Sequence, residues 1–147
     1  LRSIVNGLNA AGEKIVIPLH PRTQKCLQAY EIQLAEHIQV VDPLGYLDIV
    51  MLEASAKKIV TDSGGIQKEA FFMGVPCITL REETEWVETV DNGWNVLVGS
   101  EKEKIIKAIQ CFEPESERGN FFGEGNSVRK MIKIIQNFRA ENPLRNR

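Results

Sequence analysis

The sequence predicts an α/β domain built on a doubly wound, mainly parallel sheet, and three observations lead there. Short β-branched and apolar runs alternate with amphipathic helical stretches along the chain. The connections between them are short and rich in Gly, Pro, Asp and Asn. The strand cores are nearly continuous in apolar residues, as expected of strands covered by helices on both faces. A length of 147 residues with 43% hydrophobic residues suits one such domain with a sizeable core.

Each element has its own signal. Leu1, Ile4, Val5 and Leu8 sit at helical spacing, so residues 1–12 form a helix that Gly12 stops, and the chain reads as though it begins inside that helix. Lys14–Leu19 is a first strand, ending at His20-Pro21-Arg22, and Thr23 is placed to cap a helix reaching Ala35. Ile38–Val41 is a second strand closed by Asp42-Pro43. A helix from Tyr46 to Ser55 follows, with Leu47, Val50, Met51 and Ala54 on one face. Lys58–Thr61 is a third strand, Asp62–Gly65 a turn, and Ile66–Met73 a helix stopped by Gly74. Pro76–Leu80 is a fourth strand, followed by a polar loop, a short helix near Trp86–Val90 and the turn Asp91-Asn92-Gly93. Trp94–Gly99 is the fifth strand and residues 101–112 a helix. Residues 113–125 are linker-like, and a last helix near Ser127–Phe138 carries Val128, Met131, Ile132 and Ile135 on one face. The polar tail Asn142–Arg147 is expected to fray.

Charge and cysteine content exclude several functions. Eighteen basic against 20 acidic groups leave a net charge of −2, which offers no basic field to a nucleic-acid backbone. No apolar run approaches the roughly 20 residues that span a bilayer. Cys26, Cys77 and Cys111 are too far apart for a zinc ligand set and odd in number, so they read as reduced, small hydrophobes; no metal is expected.

In an open α/β sheet, ligands bind beyond the carboxyl ends of the strands. Three loops there hold unusual residues: His20-Pro21-Arg22, Asp42–Tyr46 and Asp62–Gly65. Gly64 and Gly65 lack a Cβ at the start of a helix, where free N–H groups and the helix dipole favour an anion such as a phosphate. Ser63 adds a hydroxyl. The competing reading is a plain helix cap with a tight turn, since neither GxGxxG nor a Walker lysine is present. Glu69 lies one helical turn beyond Gly65, within reach of a group next to that phosphate, or is one more exposed carboxylate. His20 is either a ligand-facing imidazole or a loop hydrogen-bonder. Arg81 with Glu82, Glu83, Thr84 and Glu85 forms a polar cluster at the same edge, a sugar grip or a solvated loop. His37, Trp86 and Trp94 read as structural residues. No nucleophile–base pair and no carboxylate pair can be singled out.

Three blocks in order, Thr61–Ala70 (TDSGGIQKEA), Gly74-Val75-Pro76 and Leu80–Glu85 (LREETE), resemble the signature of the non-hydrolysing UDP-N-acetylglucosamine 2-epimerases. His20–Thr23, Asp42–Tyr46 and Phe122–Gly125 match further blocks, so the resemblance covers nearly the whole chain. It implies the Rossmann-like C-terminal domain of a two-domain, glycosyltransferase-B type fold. Residues 1–125 would be the UDP-binding domain, its first strand lying upstream. Residues 126–147 would be a terminal helix and tail packing back toward the N-terminal domain.

The resemblance further implies that Ser63, Gly64 and Gly65 bind the diphosphate and Glu69 the ribose. Leu44, Tyr46 and Ile49 would border the uracil, and His20 would lie near the nucleotide sugar, with Arg81 of the polar cluster a further candidate for holding the UDP-sugar. The carboxylates that move protons belong to the other domain, so no catalytic residue and no cofactor is assigned here. The isolated chain is expected to be inactive. The full-length enzyme is expected to be a cytoplasmic homodimer. Trp86 stands where many family members have Arg, and Ile49 where they have an aromatic residue; both departures bear on the choice of UDP-sugar. A glycosyltransferase-B transferase domain and a non-catalytic nucleotide-sugar sensor are the alternatives.

Overall fold

The computed structural model describes residues 1–141, and the predicted frayed tail lies outside the described residues. The element order is α1 (Arg2–Ala11), β1 (Ile15–Pro18), α2 (Pro21–Ala29), β2 (Ile38–Val41), α3 (Tyr46–Ala54) and β3 (Ile59–Thr61). It continues with α4 (Gly64–Met73), β4 (Cys77–Thr79), α5 (Val87–Asp91), β5 (Asn95–Leu97), α6 (Lys102–Cys111) and α7 (Ser127–Glu141). All strand pairings are parallel, as the alternation of strands and helices requires.

The strands form two sheets rather than one. β1 pairs with β2, from Ile15 opposite Ile38 to Pro18 opposite Val41. β4 lies between β3 and β5, with Cys77 opposite both Ile59 and Asn95. No ladder joins the two sets among the described residues, yet they share a core. Ile15, Ile17 and Ile38 pack in one cluster with Val60, Ile78, Val96 and Val98.

Alternation along β3 and β4 divides the interior. Val60 and Ile78 face the cluster formed with Leu8 and Ala11 of α1 and Ile105, Ala108 and Ile109 of α6. Their neighbours Ile59 and Cys77 face a second cluster with Ala70 of α4 and Val75. Helices therefore cover both faces, which is the doubly wound arrangement. Gly7 lets α1 approach α6: a Cβ there would lie 3.0 Å from Ile105 Cβ.

Several local expectations change. α2 begins at Pro21, not after Thr23, because Pro fits the first helical position and His20 caps the helix, its Nδ1 accepting from Arg22 N–H at 3.2 Å. It ends at Ala29 rather than Ala35, where Glu31 turns left-handed (φ 52°) and Ile32 N–H bonds back to Leu27 O. Gly64 and Gly65 form the first turn of α4 rather than a separate turn, and Gly74 closes that helix at φ 70°.

α3 turns its other side inward. Leu47 and Met51 are exposed, while Glu53 is buried. Cys111 is exposed and Cys77 buried, so small-hydrophobe packing holds for Cys77 and not for Cys111; burial pushes the Cys77 thiol up to about 11. The stripe of Val128, Met131, Ile132 and Ile135 on α7 faces outward.

Residues 113–125 form a packed strap, not a linker. Ser116 O accepts from Trp94 Nε1 at 3.0 Å, Ser116 Oγ donates to Asn92 O, and Gly119 N–H donates to Asn92 Oδ1. Arg118 donates to the carbonyls of Phe71 and Phe72 at the end of α4, where a cation meets the helix dipole well. Phe122 then packs edge-on against Phe71.

Candidate functional site

The site is built on the turn from β3 into α4. Ser63 is the N-cap residue, but its side chain makes no capping bond. The first intrahelical bond is Gln67 N–H to Ser63 O at 3.1 Å. The N–H groups of Gly64, Gly65 and Ile66 have no protein acceptor among the described residues. These are the orphan donors of a helix start, collected at the positive end of its dipole. Space above Gly65 is open, since a Cβ there would meet only Ser63 Oγ at 3.8 Å. Above Gly64 sits the Glu85 carboxylate, into which a Cβ at Gly64 would run. Arg81 Nη1 binds Glu85 Oε2 at 3.1 Å, an ion pair open to solvent.

One helical turn on, Glu69 Oε1 accepts a 3.2 Å hydrogen bond from Tyr46 Oη, joining α3 to α4. That bond and the charge of Glu69 raise the Tyr46 pKa, so the phenol stays a proton donor. Leu44 and Tyr46 are exposed, and Ile49 is half-buried one turn beyond Tyr46. The structure thus gathers Ser63, Gly64, Gly65 and Arg81, and links Glu69 to Tyr46. His20 lies at the carboxyl end of β1, in the other sheet. Its Nδ1 is used as a helix cap and its Nε2 has no protein partner among the described residues.

A buried polar network, absent from the sequence reading, holds the loop after β4 against α4. Thr79 Oγ1 donates to Asn95 Oδ1 at 2.7 Å, and Asn95 Nδ2 donates to Gln67 Oε1 and Thr89 Oγ1. Thr84 Oγ1 donates to Gln67 Oε1 at 2.6 Å and accepts from Trp86 N–H, while Thr89 Oγ1 donates to Trp86 O. The legible signal was Asn95 inside an apolar strand, a costly placement unless it is bonded.

Glu53 was also missed. It is 7% exposed, its Oε2 has no hydrogen-bond partner among the described residues, and burial with the charge of Glu69 raises its pKa. Trp86 and Trp94 both pack, as predicted, and His37 is half-buried with Nε2 3.4 Å from Leu8 O.

Two concavities occur elsewhere. One of about 730 Å³ runs along α7 by Arg129, and one of about 420 Å³ lies beside Leu27 of α2. Neither includes Ser63–Glu69, of which Gly65 is exposed and Gln67 buried. Among the described residues no group of three or more His, Cys, Asp or Glu is arranged to hold a metal, and no helix is long and apolar enough to cross a membrane.

Comparison with known proteins places this geometry. Residues 1–136 match the family model described as UDP-N-acetylglucosamine 2-epimerase. A UDP-N-acetylglucosamine 2-epimerase homolog of Methanococcus maripaludis is 51% identical over 142 residues, covering 93% of this chain and 40% of the relative. The UDP-2,3-diacetamido-2,3-dideoxy-D-glucuronate 2-epimerase of Pseudomonas aeruginosa is 39% identical, covering 92% of this chain and 39% of its own length. The crystal structure of Methanocaldococcus jannaschii UDP-GlcNAc 2-epimerase in complex with UDP-GlcNAc and UDP superposes with a TM-score of 0.79 at 40% identity. That match covers 92% of this chain and 40% of the other. This chain therefore spans about 40% of the length of these relatives. On the match across residues 1–136 and these identities, the chain belongs to the UDP-N-acetylglucosamine 2-epimerase family.

Proposed function

We propose that this chain is the UDP-holding part of a longer, two-domain enzyme that interconverts UDP-GlcNAc and UDP-ManNAc, or a closely related UDP-sugar. The observation that carries the proposal is the start of α4: three backbone N–H groups without protein acceptors, beside glycines that leave room for an anion. A diphosphate meets those donors and the Ser63 hydroxyl without needing a basic surface, which agrees with the net charge of −2. Glu69, already accepting from Tyr46, is placed one turn deeper to accept from the ribose hydroxyls. Leu44, Tyr46 and Ile49 border the base, Arg81 exchanges Glu85 for the ligand, and His20 offers its free Nε2 toward the cleft.

The reaction removes the proton at sugar C2 as the C1–O bond to UDP breaks, leaving 2-acetamidoglucal. UDP then returns to C1 while C2 is protonated on the opposite face. The residues of this chain keep UDP in place between the two halves, so that its return is effectively unimolecular. The proton-moving groups belong to the other domain, and this chain alone should show no turnover. The 126–147 segment is assigned to packing toward that domain, and the full-length enzyme is assigned as a cytoplasmic homodimer.

The test is to incubate the full-length protein with UDP-GlcNAc and no acceptor, following the anomeric and C2 proton signals by NMR. Appearance of UDP-ManNAc, with solvent deuterium at C2, is expected. UDP release that requires an acceptor would instead identify a transferase, and binding without turnover a sensor. The 39% identity to the UDP-2,3-diacetamido-2,3-dideoxy-D-glucuronate 2-epimerase of Pseudomonas aeruginosa, with Trp86 at the departing position, supports a second substrate, a UDP-diacetamido-uronic acid. Running both UDP-sugars in the same assay separates the two.

A further inference from the structure

The Trp86 indole packs against Phe122 and Lys68, yet among the described residues its buried Nε1–H has no hydrogen-bond partner. An indole N–H is a donor only, so what it lacks is an acceptor. A buried donor left unpaired costs free energy comparable to a lost hydrogen bond, and such groups in a folded protein call for an explanation. Its position supplies one: Nε1 lies 3.5 Å from where a Cβ of Gly64 would be, against the N-terminal turn of α4 and its unfilled backbone donors.

The ring is held there firmly. The backbone N–H and C=O of Trp86 are bonded to Thr84 and Thr89, and Phe122 packs edge-on at 5.8 Å. Lys68 adds a charge, its ammonium lying 4.4 Å from the Trp86 ring centre and 5.0 Å from that of Phe122. Lys68 forms no ion pair among the described residues, so its charge is not neutralised by a carboxylate.

We propose that Trp86 is a ligand-binding residue whose indole N–H donates to the bound diphosphate, with Lys68, stacked on the same ring, supplying the accompanying positive charge. This rests on the reading of the Ser63–Gly65 turn as a diphosphate site. The Glu85 carboxylate now over Gly64 is the group the ligand displaces. Among the described residues its only ion pair is the solvent-open one with Arg81, which exchanges easily.

The experiment compares UDP and uridine binding by calorimetry in the full-length protein and its Trp86→Phe and Lys68→Met variants. Trp86→Phe removes the donor and keeps an aromatic ring, though a smaller one, under Lys68; uridine affinity and the unfolding midpoint report the loss of ring volume separately. One hydrogen bond to a charged ligand corresponds to a loss of roughly tenfold or more in UDP affinity, with uridine affinity unchanged. Lys68→Met should flatten the salt dependence of UDP binding, again without effect on uridine. UDP affinity unchanged in Trp86→Phe, or uridine and UDP weakened alike, overturns the assignment. If Gly65→Val abolishes UDP binding while Trp86→Phe does not, the diphosphate cradle stands and only the part given to Trp86 falls. If the parent prefers UDP to uridine by no margin, both fall together.

Discussion

Replacing Gly65 by Val separates the ligand role of the α4 turn from a purely structural one. Gly65 has helical backbone geometry and an exposed position, and a Cβ there meets nothing nearer than Ser63 Oγ at 3.8 Å. The protein should therefore tolerate the substitution, and Gly65→Ala should hold or raise stability by about 0.5–1 kcal/mol, because Gly is the poorer helix former. A diphosphate seated on the N–H groups of Gly64 and Gly65 would lose close approach to at least one of them. Hydrogen bonds to charged groups contribute about 1.5–3 kcal/mol each, so losing one predicts UDP binding weaker by roughly 10- to 100-fold. Calorimetric titration of UDP into the full-length protein, with thermal unfolding in parallel, reads both effects. Unchanged affinity in Gly65→Val with a normal unfolding midpoint would refute the anion site and leave the turn as a helix start only.

Other expectations follow from the packing. Glu53 has a folded pKa raised by burial and by Glu69, so its protonated form is favoured in the fold. Its contribution is most favourable below the unfolded carboxylate pKa and is lost as pH rises through the raised folded value. Glu53→Gln should remove that part of the pH dependence and raise the unfolding midpoint at pH 7.5, as pH-dependent melts will show. Gly7→Ala places a methyl 3.0 Å from Ile105 Cβ and Cγ2 and should cost about 1–3 kcal/mol; Ile105→Val in the same chain should not fully restore it, since Cβ and Cγ2 remain. Arg118→Met leaves Phe72 O without its donor and Phe71 O with Gly74 N–H alone, which should cost about 1–2 kcal/mol and make the 113–125 strap exchange amide hydrogen sooner.

What could be read from the residues depended on how local the cause was. The five strands were legible because β-branched runs bounded by turn residues need no tertiary context, and the glycines of α4 because a missing Cβ is a local fact. The start of α2 was not, since Thr23 looks like a cap while His20 performs that task through its ring nitrogen. The inward side of α3 was misjudged because that helix is apolar nearly all round, so spacing alone cannot say that Leu47 faces out and Glu53 in. The strap at 113–125 looked like a linker because its partners, Asn92, Trp94 and the end of α4, lie more than 20 residues away. Of the candidate residues, Ser63, Gly65 and Glu69 can be nominated from the motif, but the orphan indole N–H of Trp86 emerges only from three-dimensional packing.

The division of the strands into two sets has a practical consequence for handling the protein. Ile15 and Leu19 N–H groups bond to His37 and Val41, and Ile59 N–H bonds to Pro76, which turns the peptide groups of Val16 and Val60 toward the other side of β1 and β3. Among the described residues four strands, β1, β2, β3 and β5, have one side without a ladder, where a single five-stranded sheet would leave two. Open edges template pairing with other copies. A preparation of these 147 residues alone should therefore gain mass with concentration and lose soluble protein on standing. Light scattering across a dilution series belongs before any binding measurement, because an edge-paired aggregate would mask the proposed UDP binding.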